Sequence, residues 1–177
     1  MYISAIVLAA GRGLRFKSKI PKPFAKINSK PIIIYSLKVL SIHPWVKDIV
    51  VVVNTKIQNE IINKIRQYRI GKISRIVRGG RHRQDSVGCG LKAIDSRTDL
   101  VLIHDAVRPF INKDTLFSLI KEAEKSGAAI VGVPVKATIK EVVCRPKSRV
   151  IRQFIVKKTL NRNSLWEIQT PQVSGKI

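Results

Sequence analysis

The stretch Tyr2-Ile-Ser-Ala-Ile-Val-Leu-Ala-Ala10-Gly11-Arg-Gly13-Leu-Arg15-Phe16 decides how the chain is read. Residues 2–9 form an apolar, partly β-branched run, as a strand buried on both faces of a parallel sheet does. The run halts at Gly11 and Gly13. A glycine-rich loop at the carboxyl end of a first parallel strand lets backbone amides approach an anion and point at it. No basic flank precedes the run, and glycines and arginines follow it, so it reads as a strand and not as a signal peptide.

Outward from that loop, strand-like and helix-like stretches alternate. Pro31 opens a helix in which Ile33, Leu37 and Leu40 recur at helical spacing. Residues 48–53 read as a second buried strand closed by Asn54, and Ile57, Ile61, Ile62 and Ile65 mark the next helix. A third strand over 72–77 ends at Gly79-Gly80, and 86–94 form a helix despite Gly88 and Gly90. Strand 100–103 runs into His104-Asp105-Ala106. Asn112 or Asp114 then caps a helix through Lys125, Gly127 ends it, and 128–135 are a fifth strand. This order predicts an α/β fold: a Rossmann-like, mostly parallel sheet with helices on both faces. Beyond Pro134, residues 137–143 and 150–155 alternate weakly about Pro146-Lys147-Ser148, which reads as a β-hairpin protruding as an arm.

The 177 residues suit one domain, able to bury roughly 70% of the surface of its unfolded chain. A composition of 45% hydrophobic and 25% charged residues argues against disorder. No apolar run approaches the ~20 residues of a membrane span. Cys89 and Cys144 are too few for a zinc cluster or a disulfide framework, and point to a reducing cytoplasm. Against 11 Asp+Glu stand 34 Lys+Arg, a net charge of +23. Such a field suits nucleic acid, anionic membrane or small polyanions such as nucleotides and sugar phosphates. Compositional drift is the alternative, since many lysines are scattered singly. No Lys/Arg run is long enough to read as a basic tail and few aromatics accompany the charges, which places nucleic-acid binding second.

Three phosphate loops bear comparison with residues 11–22. The dinucleotide fingerprint G-x-G-x-x-G fails at Phe16, and no acidic residue follows the second strand to hold a ribose. Walker A fails because Phe16 stands where glycine must precede Lys17-Ser18. What remains is A-A-G-x-G-x-R with Pro21-Lys22, a glycine loop with two fixed cations that suits a triphosphate.

Residues 8–15 with Pro21-Lys22 resemble the signature of the 2-C-methyl-D-erythritol 4-phosphate cytidylyltransferases of nonmevalonate isoprenoid biosynthesis. Four further segments match in order: Gly79-Gly80-x-x-Arg83-x-x-Ser86-Val87, His104-Asp105-Ala106-x-Arg108-Pro109, Pro134-Val-x-x-Thr138-x-Lys140 and Arg162-x-x-Leu165-Trp166-x-x-Gln169-Thr170-Pro171-Gln172. Together they span nearly the whole chain, and H-D-A-x-R-P and Q-T-P-Q are the most specific. The resemblance implies one nucleotidyltransferase domain over 1–177, with a dimerisation arm at about 136–160. It implies cytidylyl transfer from CTP to 2-C-methyl-D-erythritol 4-phosphate, with release of pyrophosphate.

By resemblance, Arg15 and Lys22 stabilise the pentacoordinate transition state at the α-phosphate. Ala9, Ala10, Gly11, Gly13, Gly80, Ser86, Asp105 and Ala106 bind the nucleotide, with Gly79, Gly80 and Ser86 reading cytosine. Arg108, Thr138, Arg162 and Thr170 bind methylerythritol phosphate, Thr138 and Arg162 from an arm that enters the neighbouring subunit of a homodimer. Asp105, at a strand end facing a triphosphate, is the candidate Mg²⁺ ligand; its structural alternative is an N-cap of the following helix. His104 reads as a packed strand-end residue, because an ionised phosphate nucleophile needs no base.

Three positions depart from the pattern. Ala137 replaces an aspartate, Pro23 replaces a glutamine, and Arg81 stands where several relatives carry an acidic or polar residue. Ribitol 5-phosphate cytidylyl transfer is the enzymatic alternative, disfavoured by the short spacing from Arg15 to Pro21. An inactive nucleotide- or nucleic-acid-binding remnant is the other. The chain ends at Ile177, whereas the resembled enzymes continue through a helix and a strand bearing a phosphate-clamping lysine. The expectation is a C-terminally incomplete domain with an intact CTP pocket and weak turnover.

Overall fold

A computed structural model describes residues 1–11, 13, 18, 20–146 and 152–176. In chain order the elements are β1 (Ile3–Ala9), β2 (Lys26–Ile27), β3 (Lys30–Pro31), α1 (Ile32–Ile42), β4 (Val46–Val53), α2 (Gln58–Gln67) and β5 (Ile73–Arg78). There follow α3 (Arg83–Leu91), β6 (Leu100–Asp105), α4 (Lys113–Ser126), β7 (Ala128–Pro134), β8 (Lys140–Pro146), β9 (Arg152–Thr159) and β10 (Trp166–Gly175). Two units result, Met1–Ile130 with Thr170–Ile177, and Val131–Gln169.

The main sheet has the strand order β5-β4-β1-β6-β10-β7. β1 lies parallel to β4 and β6, and β4 parallel to β5, as the alternating pattern predicts. Ile6, Val50, Val52 and Val101 form one core layer with Ala93, just beyond α3. Their neighbours Ala5, Val7, Ile49, Val51 and Leu102 point the opposite way and are equally buried. Burial on both faces is why these strands read as continuous apolar runs. Gly90 explains how α3 comes so close, since a Cβ there would lie 2.5 Å from Ile6 Cγ2.

Several boundaries differ from expectation. α3 begins at Arg83 and not at residue 86, because the Asp85 carboxylate accepts the His82 N–H at 2.8 Å and secures the first turn. Ser86 therefore lies inside the helix. Pro31 precedes α1 and pairs in a two-residue hairpin with Lys26, across a turn in which Asn28 and Ser29 have φ of 46° and 63°. Two successive positive φ values are the mark of a type I′ turn. α4 is capped by Asn112, whose Oδ1 accepts the Asp114 N–H at 2.8 Å, and ends at Gly127 with φ 86°. Asp105, the last residue of β6, caps nothing.

β10 was not legible as a strand. Its residues 172–175 run antiparallel to β6, pairing Gln172 with Ile103 and Gly175 with Leu100, and β7 lies beyond it. Pro171 near its middle argues against a strand in sequence. In the second unit, β8 and β9 pair antiparallel from Lys140↔Thr159 to Pro146↔Arg152, which is the expected hairpin. The expected turn at 146–148 lies mostly outside the described residues.

Candidate active site

β1, β4 and β5 end together, and their loops diverge around a cleft of about 410 Å³. This is where open parallel sheets bind ligands. Ala10 and Gly11 enter from β1, Asn54 and Thr55 from β4, and residues 78–83 with Ser86 from β5 and α3. Arg78, Arg81 and Arg83 line it and, among the described residues, no carboxylate does, so the cleft is electropositive.

Gly79 and Gly80 are small because the protein itself occupies the space. A Cβ on Gly79 would lie 2.4 Å from Ala10 Cβ and 2.8 Å from Ser86 Oγ. One on Gly80 would lie 2.2 Å from Asp85 Cβ. Ser86 holds this turn together: its buried hydroxyl accepts the Gly80 N–H at 3.2 Å and donates to the His82 carbonyl at 3.1 Å. Its proton is thus committed, and one lone pair remains to accept from a base amine.

Lys22 lies nine residues beyond Gly13 yet folds back beside it. A Cβ on Gly13, whose φ is 61°, would lie 3.8 Å from Lys22 Cβ. The 3-10 turn Lys22–Phe24 is anchored by buried Pro23 and Phe24, which leaves Lys22 exposed. Pro23, one of the departures, thus serves as an anchor. Arg15 lies outside the described residues.

Asp105 closes β6 between two guanidinium groups. Arg83 Nη2 is 3.3 Å from its Oδ1, and Arg108 Nε is 3.3 Å from its Oδ2. Ala106 is buried and donates its N–H to the Leu8 carbonyl at 3.0 Å, which continues the β1–β6 ladder. His104 is fully buried, and burial pushes its imidazole down to about 4, against the bond to the Arg108 carbonyl and the charge of Asp105. Thr170 lies against it, Oγ1 3.2 Å from His104 Nδ1. Thr138 and Arg162 belong to the second unit. Thr138 is exposed between β7 and β8, and Arg162 Nη1 donates to the Lys136 carbonyl at 3.2 Å.

Ala10, Gly11, Gly80 and Ser86 therefore meet in one cleft, and Arg83 joins it to Asp105. Arg78, Asn54 and Thr55 were missed. Their signal was position, each lying at or just past the carboxyl end of a parallel strand. Among the described residues no group of three or more His, Cys, Asp or Glu could hold a metal ion. A carboxylate has about four lone-pair sites, and the two arginines leave room at Asp105. One carboxylate plus phosphate oxygens is how Mg²⁺ is commonly held with nucleotides, so the donor set fits.

Arginines around a cleft at the carboxyl edge of a parallel sheet, with Asp105 reached through Arg83, suit the handling of a nucleoside triphosphate, as in the nucleotidyltransferases. The sequence matches the family of 2-C-methyl-D-erythritol 4-phosphate cytidylyltransferase (IspD) over residues 3–175, and the chain belongs to that family. A 2-C-methyl-D-erythritol 4-phosphate cytidylyltransferase of Halalkalibacterium halodurans is 40% identical over 172 residues, covering 97% of this chain and 71% of the relative. One from Clostridium botulinum is 44% identical over 172 residues, covering 96% and 70%. The fold is similar to the crystal structure of 4-diphosphocytidyl-2C-methyl-D-erythritol synthase from Anaerococcus prevotii (TM-score 0.79, 31% identity, 99% of this chain and 70% of that one). It is also similar to the Francisella tularensis cytidylyltransferase (TM-score 0.75, 32% identity, 98% and 72%).

Proposed function

We propose that the chain transfers the cytidylyl group of CTP to 2-C-methyl-D-erythritol 4-phosphate, giving 4-diphosphocytidyl-2-C-methyl-D-erythritol and pyrophosphate. The observation that carries this is family membership over residues 3–175, joined to an arginine-lined cleft at the carboxyl edge of the sheet. A phosphate oxygen of the acceptor attacks the α-phosphorus in line, and the bond to the β-phosphate oxygen breaks with its electron pair leaving on pyrophosphate. The nucleophile is already ionised, so no base is required. The neutral, buried His104 agrees with that.

The protein's work is positioning and charge neutralisation. Each pair of like charges at close range opposes approach by roughly 4 kcal/mol at an effective dielectric of 20. In this reading Gly11 and Gly13 offer amides to the phosphates, and Lys22 with Arg15 meets charge developing at the α-phosphate. Ala9, Ala10, Gly80, Ser86 and Ala106 shape the nucleotide pocket, and Ser86 accepts from the cytosine amine. Asp105 would hold Mg²⁺ beside the triphosphate, where the ion would supply charge neutralisation. Arg108 and Thr170, with Thr138 and Arg162 of a second copy, take the acceptor. The exposed apolar side chains of the hairpin, among them Val142, Phe154 and Val156, support that homodimer.

The test is pyrophosphate release from each of the four nucleoside triphosphates with methylerythritol phosphate or ribitol 5-phosphate. Turnover confined to CTP with methylerythritol phosphate is expected. A preference for ribitol 5-phosphate overturns the acceptor assignment.

A further inference from the structure

The end of β6 and the loop after it, which carry Asp105 and Arg108, are fastened by two side chains without solvent exposure, Ser36 of α1 and His104 of β6. The Ser36 hydroxyl lies 3.1 Å from the Ala106 carbonyl and 3.2 Å from the Arg108 carbonyl. His104 Nε2 reaches that same Arg108 carbonyl at 3.0 Å. A carbonyl only accepts, so Nε2 carries the proton and Nδ1 is left as an acceptor. The Thr170 hydroxyl donates to Nδ1 at 3.2 Å and itself accepts the Asp105 N–H at 3.3 Å. Both side chains spend their hydrogen bonds on residues 105–108 and on Thr170.

Apolar residues would fill these two positions without needing buried partners. What the polar pair adds is direction, because each bond fixes where a backbone carbonyl or amide of the loop points. We propose that Ser36 and His104 are positioning residues for the transfer reaction, holding the backbone of residues 105–108 so that Asp105 faces the metal-bound nucleotide and Arg108 the acceptor phosphate. The inference rests on the function proposed above and adds two residues to it. His104 acts here as an uncharged bridge, a Thr170 acceptor on one side and an Arg108 donor on the other.

His104→Gln sets an amide nitrogen near the place of Nε2 and keeps the donor to Arg108. His104→Asn loses that donor and keeps an acceptor near Nδ1. Ser36→Ala removes the hydroxyl. The measurements are KM for both substrates, the Mg²⁺ concentration for half-maximal rate, and CTP affinity by calorimetry, all below each variant's unfolding temperature. Ser36→Ala and His104→Asn should raise KM and the Mg²⁺ requirement by about 10–100-fold, the usual cost of losing an outer-shell partner. His104→Gln should stay near the parent. A loss of folded protein alone lowers the apparent kcat and leaves KM where it was, so the split separates positioning from stability.

Unchanged KM, Mg²⁺ requirement and CTP affinity in Ser36→Ala and His104→Asn would overturn the proposal, as would equal damage in His104→Gln and His104→Asn. ¹⁵N NMR of the parent gives a readout independent of activity: at neutral pH His104 should show protonated Nε2 and bare Nδ1. The opposite tautomer also overturns it. A parent without turnover would count against the proposed activity alone, and CTP affinity and tautomer would still decide this point.

Discussion

Replacing Gly79 by alanine tests whether the cleft is built on close backbone approach. The new methyl would lie 2.4 Å from Ala10 Cβ, 2.8 Å from Ser86 Oγ and 3.2 Å from Val52 Cγ1. Carbon atoms settle at about 3.5–4.0 Å, so β5 and the start of the glycine loop must separate by at least about 1 Å. Ala10 has no rotamer with which to step aside. Ser86 would have to give up its bonds to Gly80 and His82. Overpacking of this kind costs about 1–3 kcal/mol, and a displacement near 1 Å in a positioned site costs roughly 10²-fold in turnover. Urea unfolding measures the first consequence, kcat/KM the second, and CTP calorimetry whether the displaced loop still binds nucleotide. Gly88→Ala is the control, since a methyl there meets nothing within 4 Å, and alanine favours the helix by up to about 1 kcal/mol. A Gly79→Ala protein with the parental unfolding midpoint and CTP affinity would refute the reasoning.

Lys22→Ala should lower kcat by about 10²–10³-fold, the scale of one preorganised charge-stabilising donor; near-parental turnover at saturating CTP would remove Lys22 from the reaction. Asp105→Asn should raise the Mg²⁺ needed for activity and leave the far-ultraviolet circular dichroism unchanged, because an amide is a poorer ligand for a hard cation. An unchanged Mg²⁺ curve would exclude Asp105 as a ligand. The folded pKa of His104, about 4, lies below the ordinary 6.5, so the unfolded chain binds the proton more readily. Its contribution is complete above pH 6.5 and lost as pH falls toward 4, about 3 kcal/mol at about 1.4 kcal/mol per pH unit. Denaturation at pH 7 and pH 4.5 should show a steeper acid loss in the parent than in His104→Gln, with buried His43 shifting in the same sense in both.

Three of the parallel strands were readable because burial on both faces leaves an unbroken apolar run, and 5–9, 49–53 and 100–103 are such runs. β10 carried no such run. It is divided between the two units, holds Pro171, and its polar residues Gln169, Thr170 and Gln172 look like a loop until β6 is there to pair with them. The hairpin β2–β3 escaped for a different reason. Its turn is Asn28-Ser29, and serine is not a residue whose φ sequence reasoning makes positive.

The site divides along the same line. Gly11, Gly13 and Lys22 were legible because chain-local chemistry marks them, glycines after a strand and a lysine after proline. The residues that support them are joined only by the fold: Ser36 to Ala106 and Arg108, His104 to Thr170, Arg83 to Asp105. Ser36 did leave a trace, since it sits beside Leu37 on the stripe through Ile33 and Leu40 that α1 turns to the core. A polar residue on such a stripe has to find a partner inside the protein. Here the partners are carbonyls of the loop that bears Asp105, so a residue that looks like a flaw in an apolar helix is one of those that fix where the carboxylate stands.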